Sequence, residues 1–456
     1  MQDNAVTSDT GASDAAGARA LDGIRVFEIG IAIASPSLGR HLAHHGAEVI
    51  KVESPTAPDV VRLLGSAWLR DNEELAAVLP DSSPYVPEMN AGKKSLSLDL
   101  KQPAAREAAR KLLANCDVFI ANYAARALVQ LGLDYESVSE IRPDIVYVQL
   151  PGFGSDPDMP YYSYVAWGPN QAPLVGMDAL TGHPDREPAG IATVAPPDYL
   201  SALHGATAVL LGLEHRDATG EGVHVDLSQF EATIGMLGPF VMNHDLTGVQ
   251  QERIGNRSLW NAPEGVYPCA REERWIAISV ANDDEWAAMA ALADGSLDDE
   301  RFATNESRFE FHDDLDTAIA GWTSTFESTD LAARLQRAGV AAHIVSTNED
   351  VLQDEHVKGR GWYVTAPSAR FERDVFSNSP LRLSGTPGRF ERAGPSAGEH
   401  TVEVLTEAAG LSEAEVQDLI DAGAAHSMNQ PDLVVKRPYD EWIHVMFPGE
   451  PDSRDL

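Results

Sequence analysis

The sequence predicts an α/β protein, with a large Rossmann-like domain on a parallel sheet and a smaller α+β domain set into it. Two observations predict this. Between Leu21 and Leu150, short apolar runs alternate with helix-length segments, the pattern of strands joined by crossover helices. Beyond about Gly255 the texture changes to a hairpin, then consecutive helices and one further strand. The length of 456 residues and hydrophobic share of 43% suffice for two or three cores.

Residues 1–20 are rich in Ala, Ser, Asp and Gly without periodicity and are expected to be a disordered tail. Ile24–Ile29 is a strand-like run, Pro36–His45 a short helix and Ala47–Val52 a second buried strand. Ser95–Leu100 alternates as a strand, Ala104–Ala114 is helical, and Asp117–Ala121 is the next strand. A helical stretch near Ser137–Ile141 precedes a strand at Asp144–Leu150. Pro151–Pro197 is rich in Pro and Gly and poor in regular structure, and loops that long are usually functional. The apolar run Leu200–Leu213 predicts a buried helix, followed by the turn Thr219–Gly222, a strand at Val223–Leu227 and a helix from Ser228. Gly265–Cys269 and Arg274–Val280 flank the charged turn Ala270–Glu273 as a hairpin. Asp283–Leu292, Asp313–Trp322 and Thr329–Ala338 are predicted helices, and Val340–Val345 a strand. The expected organisation is a tail over 1–20, the large domain over 21–227, a linker helix over 228–260, the small domain over 261–348, a return to the large domain over 349–425 and a C-terminal tail over 426–456.

The formal net charge of −36 disfavours nucleic acid and anionic membrane as partners. No apolar run has the length of a membrane span, and the N-terminus lacks a basic-then-apolar signal pattern, so a cytoplasmic location is expected. Cys116 and Cys269 are too far apart in sequence to suggest a disulfide framework, which fits a reducing compartment. Gly30 follows the first strand, but no G-x-G-x-x-G and no Walker-type loop occurs. There is no H-E-x-x-H and no paired Cys, so no metal site is expected; His41, His44 and His45 read as helix-surface or structural histidines. A G-x-S-x-G elbow is also absent.

Asp198 is the most informative residue. It follows Pro196-Pro197 and opens the apolar helix. The default expectation is an N-cap whose carboxylate accepts from free N–H groups of the first turn. The same placement aims a carboxylate out of the core at the positive end of a helix, which is how a carboxylate nucleophile would be mounted.

Several segments, in register, resemble the family III CoA-transferases, the group of formyl-CoA transferase and the carnitine and benzylsuccinate CoA-transferases. They are Leu21–Glu28 with Gly46–Glu53, Asn90–Lys101, Asp117–Tyr123 with Leu131–Tyr135, Trp167–Asn170 with Leu180–Pro184, and Asp198 with His215–Gly222. The likeness runs from about residue 21 to 365. It implies transfer of CoA from an acyl-CoA donor to a carboxylate acceptor, with Asp198 as nucleophile. No metal and no tightly bound cofactor would be needed, and the coenzyme A thioester would be the substrate. It further implies an interlocked homodimer. By the same resemblance, pantetheine and diphosphate would lie near Ala32, Ile33 and Ala34, opposite Lys93 and Lys94. The adenine would lie near Asn122 and Tyr123, with Arg62 and Arg126 as further phosphate ligands. The chain departs from the formyl-CoA transferases at Ile33, at Ser54 and across Asn256–Glu264, which is not glycine-rich, so a formyl/oxalate substrate pair is not expected. Trp260 and Asn261 are candidate acyl-pocket residues, with Trp260 alternatively a core residue. An α-methylacyl-CoA racemase, an intramolecular CoA-transferase and an inactive CoA-binding protein on the same fold remain as alternatives. The racemase would need a His partner, and Pro160–Ala166 contains none.

Overall fold

The structure is a computed structural model that describes residues 17–62, 83–190, 195–369 and 373–428. Residues 1–16 and 429–456, most of the two expected tails, lie outside the described residues. The chain divides into two compact units: Met1–Gly168 with Ala195–Thr233 and Gly359–Leu456, and Pro169–Val194 with Ile234–Lys358.

The first unit is built on strands β1 (Arg25–Ile29), β2 (Glu48–Glu53), β3 (Lys94–Leu98), β4 (Val118–Ala121), β5 (Val146–Gln149) and β6 (Val223–Asp226). They stand in the order β3-β2-β1-β4-β5-β6, all parallel, with the strand Ala425–His426 antiparallel on the β3 edge. This is the strand order of doubly wound sheets, whose reversal between β1 and β4 opens a crevice at the carboxyl ends. Alternation along each strand divides two apolar layers. Phe27, Phe119 and Tyr147 stack across β1, β4 and β5 on one face, with ring centroids 5.6 and 4.5 Å apart. Val26, Val49, Val118 and Val148 face the other way, onto Leu38, Leu42 and Val209.

Helices follow from local signals. α1 (Ala34–His44) leaves the loop after β1 and is buried along nearly its whole length. α2 (Pro103–Leu113) has Pro at its first position and buries Ala105, Ala108, Ala109, Leu112 and Leu113, a helical stripe. α3 (Ala125–Leu131) follows β4, and α4 (Tyr135–Ile141) is capped by Asp134, which accepts from the Ser137 N–H. α5 (Pro196–Thr219) packs on α1 and β5. Gly205 permits this, because a Cβ there would stand 2.9 Å from Leu38 and 3.0 Å from Leu150. The predicted buried helix is buried on one face only: Ser201, Ala202, Gly205, Val209 and Gly212 face inward, while Leu203, Leu210 and Leu211 are more than half exposed. The run reads as uniformly apolar, so its period alone did not separate the two faces. Pro151–Pro197, expected to be irregular, contains the short helices Gly168–Leu174 and Met177–Leu180.

In the second unit, strands β7 (Glu264–Pro268), β8 (Trp275–Ser279) and β9 (Ala341–Ile344) form an antiparallel sheet. Helices α6 (Asp283–Leu292), α7 (His312–Thr323) and α8 (Ser328–Arg337) contribute to its core, which gathers Ile276, Met289, Ile319 and Leu335. The predicted hairpin and helices therefore lie within a residue or two of the observed ones.

Candidate active site

The loops leaving the carboxyl ends of β1 and β4 meet at the point where the strand order reverses. Asn122, the first residue after β4, locks them together: its Oδ1 accepts from the Ile31 N–H at 2.9 Å and its Nδ2 donates to the Ile31 carbonyl at 2.8 Å. Gly30 is required there, since a Cβ would lie 2.7 Å from Asn122 Oδ1 and 2.5 Å from Ser35 Cβ. The loop then passes through Ala32, an alanine with φ of 61°, a left-handed conformation that side chains with a Cβ avoid. It enters α1 at Ala34.

Asp198 is 8% exposed and lies in the first turn of α5. It is not the N-cap; that position is Ala195. Proline at the first helical positions is favoured because its missing N–H needs no partner, so Pro196 and Pro197 begin the helix and shift Asp198 inward. Its own N–H donates to the Ala195 carbonyl at 3.1 Å, and this N–H and that of Ala34, at the start of α1, favour the charged form of the carboxylate. Burial outweighs these two donors and pushes its carboxyl up to about 6. Gly168 closes over it; a Cβ there would be 2.6 Å from Asp198 Oδ2. The carboxylate opens into a cavity of about 130 Å³ whose walls include Ile31, Ala32, Asn122, Tyr123, Phe153 and Trp167. Phe153 makes edge contacts with Tyr161 and Tyr164, ring centroids 5.4 and 6.2 Å away, and Phe230 lies 5.6 Å from it. Gln229 at the cavity floor donates to the Leu150 carbonyl at 2.7 Å. Among the described residues lining the cavity there is no histidine and no Lys or Arg.

The structure therefore brings Asp198, Ala32, Ala34, Asn122 and Tyr123 together, with Ile33 as the N-cap of α1 between them. Arg126 is exposed near the start of α3, two residues past Ala124 in the cavity wall. The other basic residues are placed differently from the expectation that they bind the CoA phosphates. Lys93 is fully buried, 2.8 Å from Glu28 and donating to the Pro36 carbonyl at 2.8 Å. Arg62 is fully buried, its Nη2 2.6 Å from Glu53 Oε2 and its Nε 2.9 Å from Oε1. Lys94, the first residue of β3, bridges Glu48 and Glu403. The reason is electrostatic: a buried cation stays charged only beside an anion, and these acids provide it. In the second unit, Trp260 is 78% exposed, which removes it from the core.

Sequence reading missed the charged cluster beneath the loop. Lys51 Nζ lies 2.8 Å from Asp59 and 3.5 Å from Glu28, all with side chains fully buried, and donates to the Gly30 carbonyl at 2.9 Å. Burial opposes its charge, but Asp59, Glu28 and Glu53 overcome it and hold the lysine above its ordinary value. Glu53, also buried, is drawn down to about 2 because Arg62 outweighs the desolvation. The available signal was a charge at an inward strand position, Glu28 two residues after Val26 and Lys51 two after Val49.

The family model described as CoA-transferase family III matches residues 21–401. The chain belongs to CoA-transferase family III. A succinyl-CoA–D-citramalate CoA-transferase of Chloroflexus aurantiacus is 31% identical over 398 residues, covering 87% of this chain and 95% of that protein. A succinate–glutarate CoA-transferase of Agrobacterium fabrum is 32% identical over 394 residues, covering 85% and 95%. Among solved structures, a CaiB/BaiF family protein from Brucella suis superposes with a TM-score of 0.78 at 31% identity, covering 86% of this chain and all of that one. Rv3272 from M. tuberculosis shares the fold, with a TM-score of 0.69 at 23% identity over 85% and 99% of the two chains. The mixed α/β architecture with its large parallel sheet is thus the CaiB/BaiF fold, and the protein is an enzyme, a family III CoA-transferase.

Proposed function

We propose that this family III CoA-transferase moves CoA from an acyl-CoA donor to a carboxylic acid acceptor by way of Asp198. The observation that carries the reading is a buried carboxylate beside the N–H groups at the start of a helix, with its pKa raised by burial to about 6 and opening into a largely aromatic cavity without Lys, Arg or His among its described lining residues. Poor solvation makes it a stronger nucleophile than a carboxylate in water, while at neutral pH it remains ionised. Its oxygen attacks the thioester carbonyl; the C–S bond breaks and the electron pair leaves with the CoA thiolate, giving a mixed anhydride. The thiolate then attacks the aspartyl carbonyl and expels the donor acid, leaving an aspartyl-CoA thioester. The acceptor carboxylate displaces thiolate from that thioester, and the thiolate returns to the acceptor carbonyl, releasing the new acyl-CoA and Asp198. One thioester replaces another, so no ATP is consumed. The Ala34 N–H stands where charge develops on the aspartyl oxygens, and the aromatic walls limit the water that would hydrolyse an anhydride.

The curated relatives act on succinyl-CoA or succinate, so succinyl-CoA is the first donor to test. The aromatic wall of Phe153, Tyr162, Tyr164 and Trp167 suits flat or bulky acyl groups as well. The pantetheine arm would run past Ala32, Ile33 and Ala34 and the adenine past Asn122 and Tyr123, with Arg126 reaching a phosphate. A homodimer accounts for the exposed leucines of α5 and, in the second unit, for the helix Gly238–Thr247, none of whose residues is buried. No helix among the described residues is long and apolar enough to cross a membrane, which is compatible with action in the cytoplasm. The test is Asp198→Ala with a panel of acyl-CoA donors and carboxylates. Thioester exchange should vanish while CoA binding persists, and hydroxylamine should trap Asp198 as a hydroxamate in the unsubstituted enzyme only. Undiminished exchange in the variant would refute the reading.

A further inference from the structure

We propose that the buried charges Lys51 and Asp59, with Asn122, are positioning residues that hold the Gly30–Ala34 loop so that the Ala34 N–H reaches the Asp198 carboxylate. This rests on the role of Asp198 given above and extends it to residues that do not touch the substrate.

The loop has few ways to hold itself. Ala32 sits at φ 61°, where a Cβ crowds the following carbonyl, so an isolated chain would leave this conformation. Four backbone groups near the bend have side-chain partners from strands or the loops that leave them. The Gly30 carbonyl accepts from Lys51 Nζ at 2.9 Å. Ile31 is held through both its N–H and its carbonyl by Asn122, at 2.9 and 2.8 Å. The Ala32 N–H donates to Asp59 Oδ1 at 2.8 Å, which also accepts from the Val61 N–H at 3.1 Å. Lys51 and Asp59 are themselves joined at 2.8 Å. At the far end, Lys93 donates to the Pro36 carbonyl at 2.8 Å while paired with Glu28. Gly39 lets α1 lie directly against that carboxylate, since a Cβ would stand 2.0 Å from Glu28 Oε2.

Such anchoring is more than the fold requires. Parallel pairing of β1 with β2 and β4, and the packing of α1 on α5, do not depend on the φ of Ala32. What depends on it is the direction of the N–H groups as the loop enters α1. Buried ion pairs add little net stability but fix geometry strongly, because few arrangements satisfy them. A network of this kind under a strained loop is suited to fixing one donor on one carboxylate.

The readout is the titration of Asp198 itself. The elements packed against it carry Arg40, His41 and His44 on α1, Tyr147 on β5, and His224 and Asp226 on β6. Tyr199 follows it on α5, and Tyr123, Tyr162 and Tyr164 stand in the cavity wall. None of these sets its titration, which burial and the two N–H donors govern. Losing the Ala34 donor removes a hydrogen bond to the charged form and moves the titration upward.

The experiment labels Asp198 with a water-soluble carbodiimide and an amine, quantified by peptide mass spectrometry from about pH 4 to about pH 9, a span that brackets carboxyl titration in proteins. It compares the wild-type chain with Lys51→Met/Asp59→Leu, which removes one cation and one anion and keeps the cluster neutral. The labelling midpoint should rise by about one pH unit in a variant whose circular dichroism is unchanged. An unchanged midpoint in the folded variant overturns the proposal. Should that variant fail to fold, Asn122→Ala releases Ile31 without altering any charge; the same rise is expected, and an unchanged midpoint is again the refuting result. The labelling needs no acyl-CoA. It is therefore decided separately from the exchange assay of Asp198→Ala, which tests whether Asp198 carries the acyl group.

Discussion

Asp198 and Glu28 are both buried carboxylates near the same turn of chain, and their surroundings are opposite. Glu28 lies 2.8 Å from Lys93 and 3.5 Å from Lys51, inside a cluster completed by Asp59, Glu53 and Arg62. Asp198 has two backbone N–H donors and no cation drawing its titration down. The difference teaches how one fold makes charge serve two purposes. Paired charges lock a conformation. An unpaired one is left poorly solvated with its pKa raised, which suits the proposed role of a group that bonds to carbon and is released again.

The largest effect expected from breaking this contrast is on turnover. Asp198→Asn keeps the shape but cannot form the anhydride, and should lower exchange by on the order of a thousandfold or more. Steady-state assays with succinyl-CoA and a panel of acids check this, and a loss of tenfold or less, an order-of-magnitude threshold on the same scale, would place the chemistry on another residue.

The paired region should respond in stability instead. Lys51→Met leaves Asp59 and Glu28 short of a cation in a site with no solvent access. Breaking a buried pair from one side costs about 3–5 kcal/mol, so the urea midpoint of this variant should fall clearly. A variant as stable as the parent would show that water reaches the cluster.

The sign reverses at Asp198. Its folded pKa is raised from 3.8 to about 6, so the native state binds the proton more tightly than the unfolded chain. The stability this gives is present in full below the unfolded value and is lost as pH rises through about 6. At neutral pH the ionised carboxylate therefore burdens the fold by about 3 kcal/mol, at roughly 1.4 kcal/mol for each pH unit between the folded and unfolded values. Asp198→Asn should be more stable than the parent at about pH 7.5 and equal to it near pH 3.5, at the bottom of the carboxyl range. Urea unfolding at the two pH values decides it, and a variant destabilised at both would contradict the assigned environment.

How much of this contrast was legible in the sequence depends on which physical signal carried each part. The sheet was legible because Val26-Phe27 and Val49-Ile50 sit in short apolar runs separated by helix-length segments. Asp198 was legible because the resemblance to the family falls on it; the local pattern, a carboxylate after Pro196-Pro197 at the head of an apolar run, spoke first for a helix cap. Its exact place in the helix was not, because capping and first-turn positions differ by register alone. Lys93 and Arg62 were expected near the CoA phosphates from the resemblance, because anionic phosphates favour Lys and Arg. Only three-dimensional pairing reveals that Glu28 and Glu53, distant in sequence, neutralise them. Gly168 lay within Trp167–Asn170, one of the segments that carry the resemblance, but a glycine before a proline in a long loop reads as a turn, and its closeness to Asp198 is a tertiary fact.

Gly168 supports the smallest and sharpest test. A Cβ there would lie 2.6 Å from Asp198 Oδ2 and 2.5 Å from the Ala195 Cβ, so Gly168→Ala must displace the carboxylate, the loop or both. The displacement needed is about 1 Å, the gap to an ordinary contact of roughly 3.5 Å. Misplacing a reacting group on that scale lowers the rate by about a hundredfold when geometry governs the step. The expected result is a drop of about ten- to a hundredfold in kcat with a nearly unchanged urea midpoint, since the residue closes over the site and not over either apolar layer. Charge is untouched by this substitution, which separates it from the variants above. If kcat holds while the carbodiimide-labelling midpoint of Asp198 also holds, the loop has simply moved aside, and the closeness of Gly168 to the carboxylate is packing without catalytic consequence. If kcat falls with the midpoint unchanged, the nucleophile keeps its donors and loses its aim, and orientation, not basicity, is what the lone carboxylate owes to its surroundings.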